Sequence, residues 1–113
     1  MKHQISLQTA IDMTTEFREN HPAGMAVCET FERAAIDRLL ATPGCTRLRI
    51  YYGMKNTNEV HAILVAADAE DKDILPGNTT SVAEDEEEAV ILDDSFRCPP
   101  HCPPDSPLNP KKP

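Results

Sequence analysis

The sequence predicts an α+β domain in which two N-terminal helices pack on a small antiparallel sheet of three to four strands, followed by a proline-rich C-terminal tail. Three observations support this prediction. The first forty residues space their apolar side chains with a helical period, and two strand-like runs follow between residues 47 and 67. The last nineteen residues hold seven of the ten prolines. We therefore place the domain at residues 1–94 and the tail at 95–113.

The two helices are predicted from their apolar faces and from the signals at their ends. Ser6 can cap a first helix that ends near Asn20, before "HPAG". Thr30 is the expected cap of a second helix, which stops at "TPG", residues 42–44, where proline removes a backbone donor and glycine permits a left-handed turn. Helices this short cannot bury their apolar faces alone, so we expect both to lie against the sheet.

The run "RLRIYYG", residues 47–53, alternates between apolar and polar positions and so predicts a strand. Leu48, Ile50 and Tyr52 share one face of it. We expect this face to meet the helices, with Arg47, Arg49 and Tyr51 on the opposite face.

The next strand, "EVHAILVAA" at residues 59–67, follows a turn and should pair antiparallel with the first. From Ile63 onward it is apolar on both faces, which is typical of a strand covered on both sides. The tail, another segment of the chain or a second copy of the protein must then cover its second face. We expect a short third strand at 73–75, a mobile acidic loop at about 76–88 and an edge strand at 89–94.

The formal net charge of −8 is concentrated in one part of the chain. Residues 1–67 carry seven basic and seven acidic residues, whereas residues 68–94 carry eleven acidic residues against Lys72 alone, a net of −10. Such a segment repels phosphate backbones, so we expect no nucleic-acid partner. The longest apolar run is far too short to span a bilayer and the N-terminus lacks the apolar core of a signal peptide. We therefore expect a cytoplasmic protein without a membrane partner.

Several short segments together resemble a group of small uncharacterised bacterial proteins. They are an LL-x-x-PG turn at residues 39–44, an R-x-Y-x-G strand at 49–53 and a CPP-x-C tail at 98–102, after a leading helix. No activity is known for that group, so the resemblance implies no catalytic residue and no cofactor. It implies that the tail belongs to the folded module.

The tail places zinc-type ligands, Cys98, His101 and Cys102, within five positions. The surrounding prolines favour polyproline II, in which the two cysteine α-carbons would lie about 12 Å apart. A metal site or a disulfide therefore requires a sharp turn inside "CPPHC". Three interpretations stay open: a zinc site completed by a further ligand, a reversible disulfide, and cysteines that pack as small apolar side chains.

The other two cysteines, Cys28 and Cys45, are expected to be small buried residues beside the second helix. A cysteine nucleophile needs a base and an oxyanion donor, and the sequence pairs neither with them. No phosphate-binding glycine loop and no hydrolase or metalloprotease motif occurs. The sequence thus favours a protein that is not an enzyme, and leaves an enzyme as the third alternative.

Two charged features are candidate binding surfaces. Arg47, Arg49 and Tyr51 form a stripe on one strand face that suits an anion or an acidic peptide. The alternative is that the stripe pairs with the chain's own acidic segment, residues 84–88, or is solvated. An acidic segment suits a basic partner, or only keeps the protein soluble. Its residues are Glu84, Asp85, Glu86, Glu87 and Glu88.

These features predict a small, non-enzymatic protein-interaction or adaptor module that binds a protein partner or pairs with itself as a homodimer. The competing function is a zinc-binding or thiol-redox protein centred on the CPPHC tail. The shape of the tail separates the two. An extended tail favours packing, whereas a tight turn between Cys98 and Cys102 favours metal or disulfide chemistry.

Overall fold

The computed structural model describes residues 1–55, 58–77 and 88–110. Within them the chain forms two α-helices and six β-strands in two antiparallel sheets, which confirms the α+β fold class. Neither helix in these described residues is long and apolar enough to cross a membrane. The elements are α1 (Leu7–Asn20), β1 (Cys28–Thr30), α2 (Arg33–Leu40), β2 (Arg47–Met54), β3 (Val60–Ala67), β4 (Asp73–Ile74), β5 (Ile91–Leu92) and β6 (Phe96–Cys98).

The larger sheet has four strands with β3 at its centre. β2 pairs with one edge of β3 along its whole length, and β4 and β5 pair with successive parts of the other edge. Helix α2 contacts β3 and β5, and its Leu39 is fully buried in a cluster with Ala62, Leu64 and Ala66. Burial of apolar side chains is the dominant favourable term in folding, so this contact is the core of the protein.

The second face of β3 is also buried, as its apolar sequence predicts. Val65 and Ala67 expose only 3% and 0% of their surface. The register sets Arg49 of β2 and Ile91 of β5 beside Val65. Val65 and Ala67 are both buried within the single chain, so the burial of this face does not require a second copy.

Two helix predictions differ from the structure. The Ser6 hydroxyl caps α1 as predicted, accepting a hydrogen bond from the Thr9 N–H at 3.0 Å, but α1 contains no buried residue. Packing against the sheet is therefore not confirmed for α1. The residue before α2 is Glu32, whereas Thr30, the predicted cap, ends β1 opposite Phe96. Pairing with a distant strand overrides the local capping preference of threonine.

The second sheet, a ribbon of β1 and β6, is missing from the sequence prediction. Each strand has three residues, so its alternation is too short to stand out. Two side chains of the ribbon join it to β3. The Glu29 carboxylate accepts a hydrogen bond from the backbone N–H of Ala62 at 3.3 Å, and Arg97 donates to the Val60 carbonyl oxygen at 2.9 Å. These polar contacts dock the ribbon on the larger sheet.

The tail turns back on the domain after β6. The α-carbons of Cys98 and Cys102 are 4.5 Å apart, so the polyproline II prediction is wrong for this stretch. Farther along, the Arg18 guanidinium of α1 donates to the carbonyl oxygen of Leu108. The described part of the tail is thus joined to the domain by β6 and by α1.

Candidate functional site

The turn after β6 is closed by a disulfide between Cys98 and Cys102. Backbone hydrogen bonds hold the same turn: the His101 N–H donates to the Arg97 carbonyl oxygen at 2.7 Å, and the Cys102 N–H donates to the Pro100 carbonyl oxygen at 3.1 Å. The first two peptide bonds after Cys98 are cis. Of the three interpretations of the cysteine pair, the structure contains the disulfide.

The two sulfurs of the disulfide have different surroundings. Cys98 exposes 2% of its surface, whereas Cys102 is exposed. The side-chain amide of Asn109 donates a hydrogen bond to the Cys98 sulfur at 3.6 Å. An external thiol can therefore reach Cys102, while the protein shields Cys98. The burial of Cys98 also agrees with the packing interpretation, because it holds the start of the tail against the domain.

Cys28 lies opposite the same disulfide on the neighbouring strand. It carries a free, half-buried thiol and is the cross-strand partner of Cys98 in the ribbon. Residues directly opposite in an antiparallel pair point to the same face of the sheet. The predicted burial of Cys28 is therefore only partial, and β1 places it beside the tail. Cys45 packs against the main core, but it is also only half-buried, so its predicted burial is partial as well.

His101 does not form a metal-ligand group with the two sulfurs. Its exposed ring meets the ring of Phe96 edge-on, with centroids 6.1 Å apart. In the part of the chain that the structure describes, no three His, Cys, Asp or Glu side chains are grouped to hold a metal ion. Zinc at Cys98, His101 and Cys102 would need the reduced protein, because thiolates are the sulfur ligands of zinc. Zinc binding stays a prediction for that form.

A groove of about 880 Å³ runs between the C-terminal half of α1 and the disulfide turn. Arg18 of α1 and His21 just after it line one side, and Cys102 and Asp105 line it from the tail. The exposed sulfur of the disulfide therefore lies in a concave surface with charged groups of both signs, a setting in which small ligands and peptide segments bind.

The predicted stripe on β2 is already paired within the chain. Arg49 forms ion pairs with Asp71 and Asp73, and Arg47 lies 3.2 Å from Asp71. The Tyr51 hydroxyl donates a hydrogen bond to Asp73 at 2.6 Å. The stripe therefore pairs with acids of its own chain, but these are Asp71, in the turn before β4, and Asp73 of β4. The alternative named residues 84–88 instead, of which 84–87 lie outside the described residues.

Asp73 is the centre of this charged network. The hydrogen bond from Tyr51 lowers the pKa of the Asp73 carboxyl; partial burial opposes this effect, and the hydrogen bond and charge of Arg49 add to it. The hydrogen bond to Asp73 also raises the pKa of the Tyr51 hydroxyl and that of the Arg49 guanidinium. The network therefore favours the ionised carboxylate, the protonated guanidinium and the neutral phenol.

The acidic segment lies mostly outside the described residues, which omit its members 84–87. Glu88 is described, and its carboxylate accepts a hydrogen bond from the Gly77 N–H at 2.7 Å. The binding of a basic partner by this segment stays a prediction.

The other face of β2 is apolar and exposed. Leu48, Ile50, Tyr52 and Met54 expose 42%, 49%, 71% and 66% of their surface. Ile50 is opposite Leu64, which is buried in the core with α2, so these side chains lie on the helix side of the sheet. The prediction that the helices cover them is wrong, because α2 lies over β3 and β5. These four side chains therefore form one exposed apolar strip on the helix side of the sheet.

Three polar residues of the interface between the ribbon and β3 are missing from the sequence prediction. Besides Glu29 and Arg97 there is His61 of β3, which exposes 6% of its surface and is linked to Arg97 through Glu59. Its Nε2 lies 3.4 Å from Glu59 and its Nδ1 lies 3.8 Å from Asp93. None of these residues stands in a motif, and only the register of distant strands brings them together.

Comparisons with known proteins give this site no relative. No protein family matches the chain, and no curated protein or solved structure matches it. The resemblance to a group of small bacterial proteins therefore stays a prediction. The function has to be inferred from the chain's own surfaces and chemistry.

Proposed function

We propose that the protein is a small protein-interaction module and that the apolar face of β2 is its contact surface. The observation behind the proposal is the row of exposed side chains at Leu48, Ile50, Tyr52 and Met54. They alternate along one strand and so form one strip. An apolar strip gains free energy when a partner removes it from water, at about 25 cal/mol for each Å² buried.

The backbone of β2 supports the same proposal. β2 ends the larger sheet, and in the described part of the chain no strand pairs with its outer edge. The edge of this eight-residue strand offers unpaired N–H and C=O groups to a further strand. Charged side chains on an edge strand usually oppose such pairing, but Arg49 is held by Asp71 and Asp73 of its own chain.

A second copy of the same chain is the partner that fits this edge. Two β2 strands related by a twofold axis pair antiparallel, and each contact between them is made twice. With Ile50 opposite its symmetry mate, Leu48 faces Tyr52 of the other copy. The apolar strip then continues without a break across the interface, as cross-strand apolar pairs favour.

Charge selects this register over its neighbours. With the axis at Ile50, Arg49 faces Tyr51 of the other copy. A cation and an aromatic ring attract each other, so this pair is favourable. An axis at Arg49 would place this arginine opposite its own mate. An axis at Tyr51 would place Arg47 opposite Lys55. Like charges directly opposite in a sheet are destabilising, so Ile50 is the expected centre.

Sedimentation equilibrium at high micromolar concentration tests the proposal. The wild type should sediment as a dimer of the 12.5 kDa chain, and Ile50→Asp should sediment as a monomer. Met13→Asp is the matched control, because Met13 is also 61% exposed but lies on α1, so this variant should remain dimeric. A wild type that sediments at 12.5 kDa would rule out self-association and leave a different protein as the partner of the strip.

The disulfide between Cys98 and Cys102 favours a second function, thiol–disulfide exchange. Disulfides in reducing compartments are usually catalytic or redox-sensing, and the exposed sulfur of Cys102 suits attack by an external thiol. Thiol titration of denatured protein that was purified without reductant tests this candidate. Two free thiols, at Cys28 and Cys45, are expected, and four would remove it. Zinc analysis of the reduced protein tests the metal prediction in the same preparation.

A further inference from the structure

Three of the four cysteines meet at one end of the ribbon. Cys98 is bonded to Cys102 along the chain and is the cross-strand partner of Cys28. Cys98 is buried, Cys28 is half-buried and Cys102 is exposed, so the three residues differ in how far solvent reaches them. Cys45 packs against the main core instead.

Either neighbour is at a suitable distance for a bond to Cys98. Disulfides need an α-carbon separation of about 4.4–6.8 Å. Cys102 lies at 4.5 Å. Cys28 is directly opposite Cys98, and such residues lie about 4.5–5.5 Å apart in an antiparallel pair. The Cys98–Cys102 and Cys28–Cys98 disulfides therefore require the same positions of β1 and β6. They differ only in which cysteine is bonded to Cys98.

We propose that Cys28, Cys98 and Cys102 form a three-sulfur exchange site in which the Cys98–Cys102 disulfide converts to a Cys28–Cys98 disulfide. The Cys28 thiol first loses its proton to solvent. Its thiolate attacks the Cys98 sulfur, the new S–S bond forms as the bond to Cys102 breaks, and Cys102 leaves as a thiolate that takes up a proton. One disulfide replaces another, so the step needs no oxidant or reductant.

The exchange changes what the protein presents to solvent. Cys102 becomes a free thiol on the surface of the groove beside α1, and the tail turn is no longer closed by a covalent bond. The same groove is lined by Arg18 and by the acids Glu19 and Asp105, so the freed thiol opens onto charged groups of both signs. The released Cys102 thiolate can attack a disulfide of another protein, forming a mixed disulfide and expelling one partner sulfur as a thiolate.

This inference rests on the second proposed function, and Cys102→Ser tests it directly. The variant is treated with glutathione disulfide, quenched in acid and mapped by mass spectrometry. The expected product is a Cys28–Cys98 disulfide in most molecules. Cys45→Ser combined with Cys102→Ser is the matched control and should give the same product. A product with glutathione on Cys98 and a free Cys28 thiol would overturn the proposal.

A second measurement uses the wild type, so the proposal does not depend on how one variant folds. Protein with one disulfide is incubated with N-ethylmaleimide, and labelling of Cys102 is followed over time. Labelling should be about tenfold faster in the wild type than in Cys28→Ser, because only Cys28 can release Cys102 internally. Equal rates would overturn the exchange while leaving the disulfide itself in place. Four free thiols in the starting protein would instead remove the second proposed function.

Discussion

The larger sheet and the ribbon with its tail are held together by different interactions. In the sheet, Leu39 and Leu64 are buried in an apolar core. The ribbon is joined to it by the polar side chains Glu29 and Arg97, and its end is closed by the disulfide at Cys98. Apolar burial depends little on redox state, whereas a disulfide can be reduced. We therefore expect the larger sheet to stay folded under reducing conditions, whereas the order of the ribbon and tail depends on the redox state of the disulfide.

The largest expected effect is on the apolar core. Leu39→Ala should lower the free energy of unfolding by about 2–5 kcal/mol, because it removes a fully buried side chain and leaves a cavity. Urea unfolding followed by circular dichroism measures it. Leu40→Ala is the matched control, since Leu40 is next in the same helix but 45% exposed. Equal losses for the two variants would mean that Leu39 is not the centre of the core.

The next largest effect is expected from the hydrogen bonds of Arg97 that dock the ribbon on the larger sheet. Arg97 exposes 14% of its side chain and donates to the Val60 and Gly24 carbonyl oxygens. Arg97→Met should cost about 1.5–3 kcal/mol in the free energy of unfolding, because hydrogen bonds from a charged donor are lost. Arg33→Met is the control, since its side chain is 92% exposed and should cost less than about 0.5 kcal/mol. Similar urea midpoints for both variants would contradict a docking role for Arg97.

Reduction of the disulfide should affect the tail and spare the sheet. The closed loop is short, so its loss should destabilise the protein by only about 2 kcal/mol through the entropy of the unfolded chain. Hydrogen exchange with and without a phosphine reductant measures the distribution of this effect. Amides of β6 and the tail should exchange faster after reduction, while those of β3 should change little. A uniform loss of protection would show that the disulfide supports the whole fold.

The smallest effect concerns the charged face of β2. Because the pKa of Asp73 is lowered in the folded protein, its contribution to stability is complete above the ordinary aspartate pKa of about 3.9 and is lost as the pH falls through the folded pKa. The difference in urea midpoint between the wild type and Asp73→Asn should therefore narrow below that ordinary value. Asp37→Asn, at a surface pair 61% exposed, is the matched control and should change the urea midpoint less. A constant difference for Asp73→Asn would exclude this linkage.

The elements with strong local signals could be predicted from the sequence. The side-chain cap at Ser6, the alternation at 47–53 and the two-sided apolar run from Ile63 all correspond to observed elements. The prediction that Thr30 caps the second helix is wrong for a clear reason. The Thr30 side chain suits a helix cap, but its backbone pairs with Phe96, far away in the chain. A window of local sequence does not contain that information.

The candidate site could be predicted only in part. The sequence places Cys98, His101 and Cys102 close together, and it predicts that a disulfide would require a sharp turn between the two cysteines. It does not mark Cys28, which is seventy residues away from Cys98 and becomes its neighbour through the ribbon. The exposure of Ile50 is equally hidden, because alternation shows which residues share a face but not how far a helix covers it.

By itself, the sequence determined the fold class, the order of the main helices and strands, the apolar character of β3 and the concentration of cysteines in the tail. The tertiary structure decided which strands pair at a distance, which face of β2 stays open and which sulfurs meet. The physical reason is the range of the interactions. Backbone period, capping and turn preferences act over a few residues, whereas strand register and side-chain coverage depend on segments that only folding brings together.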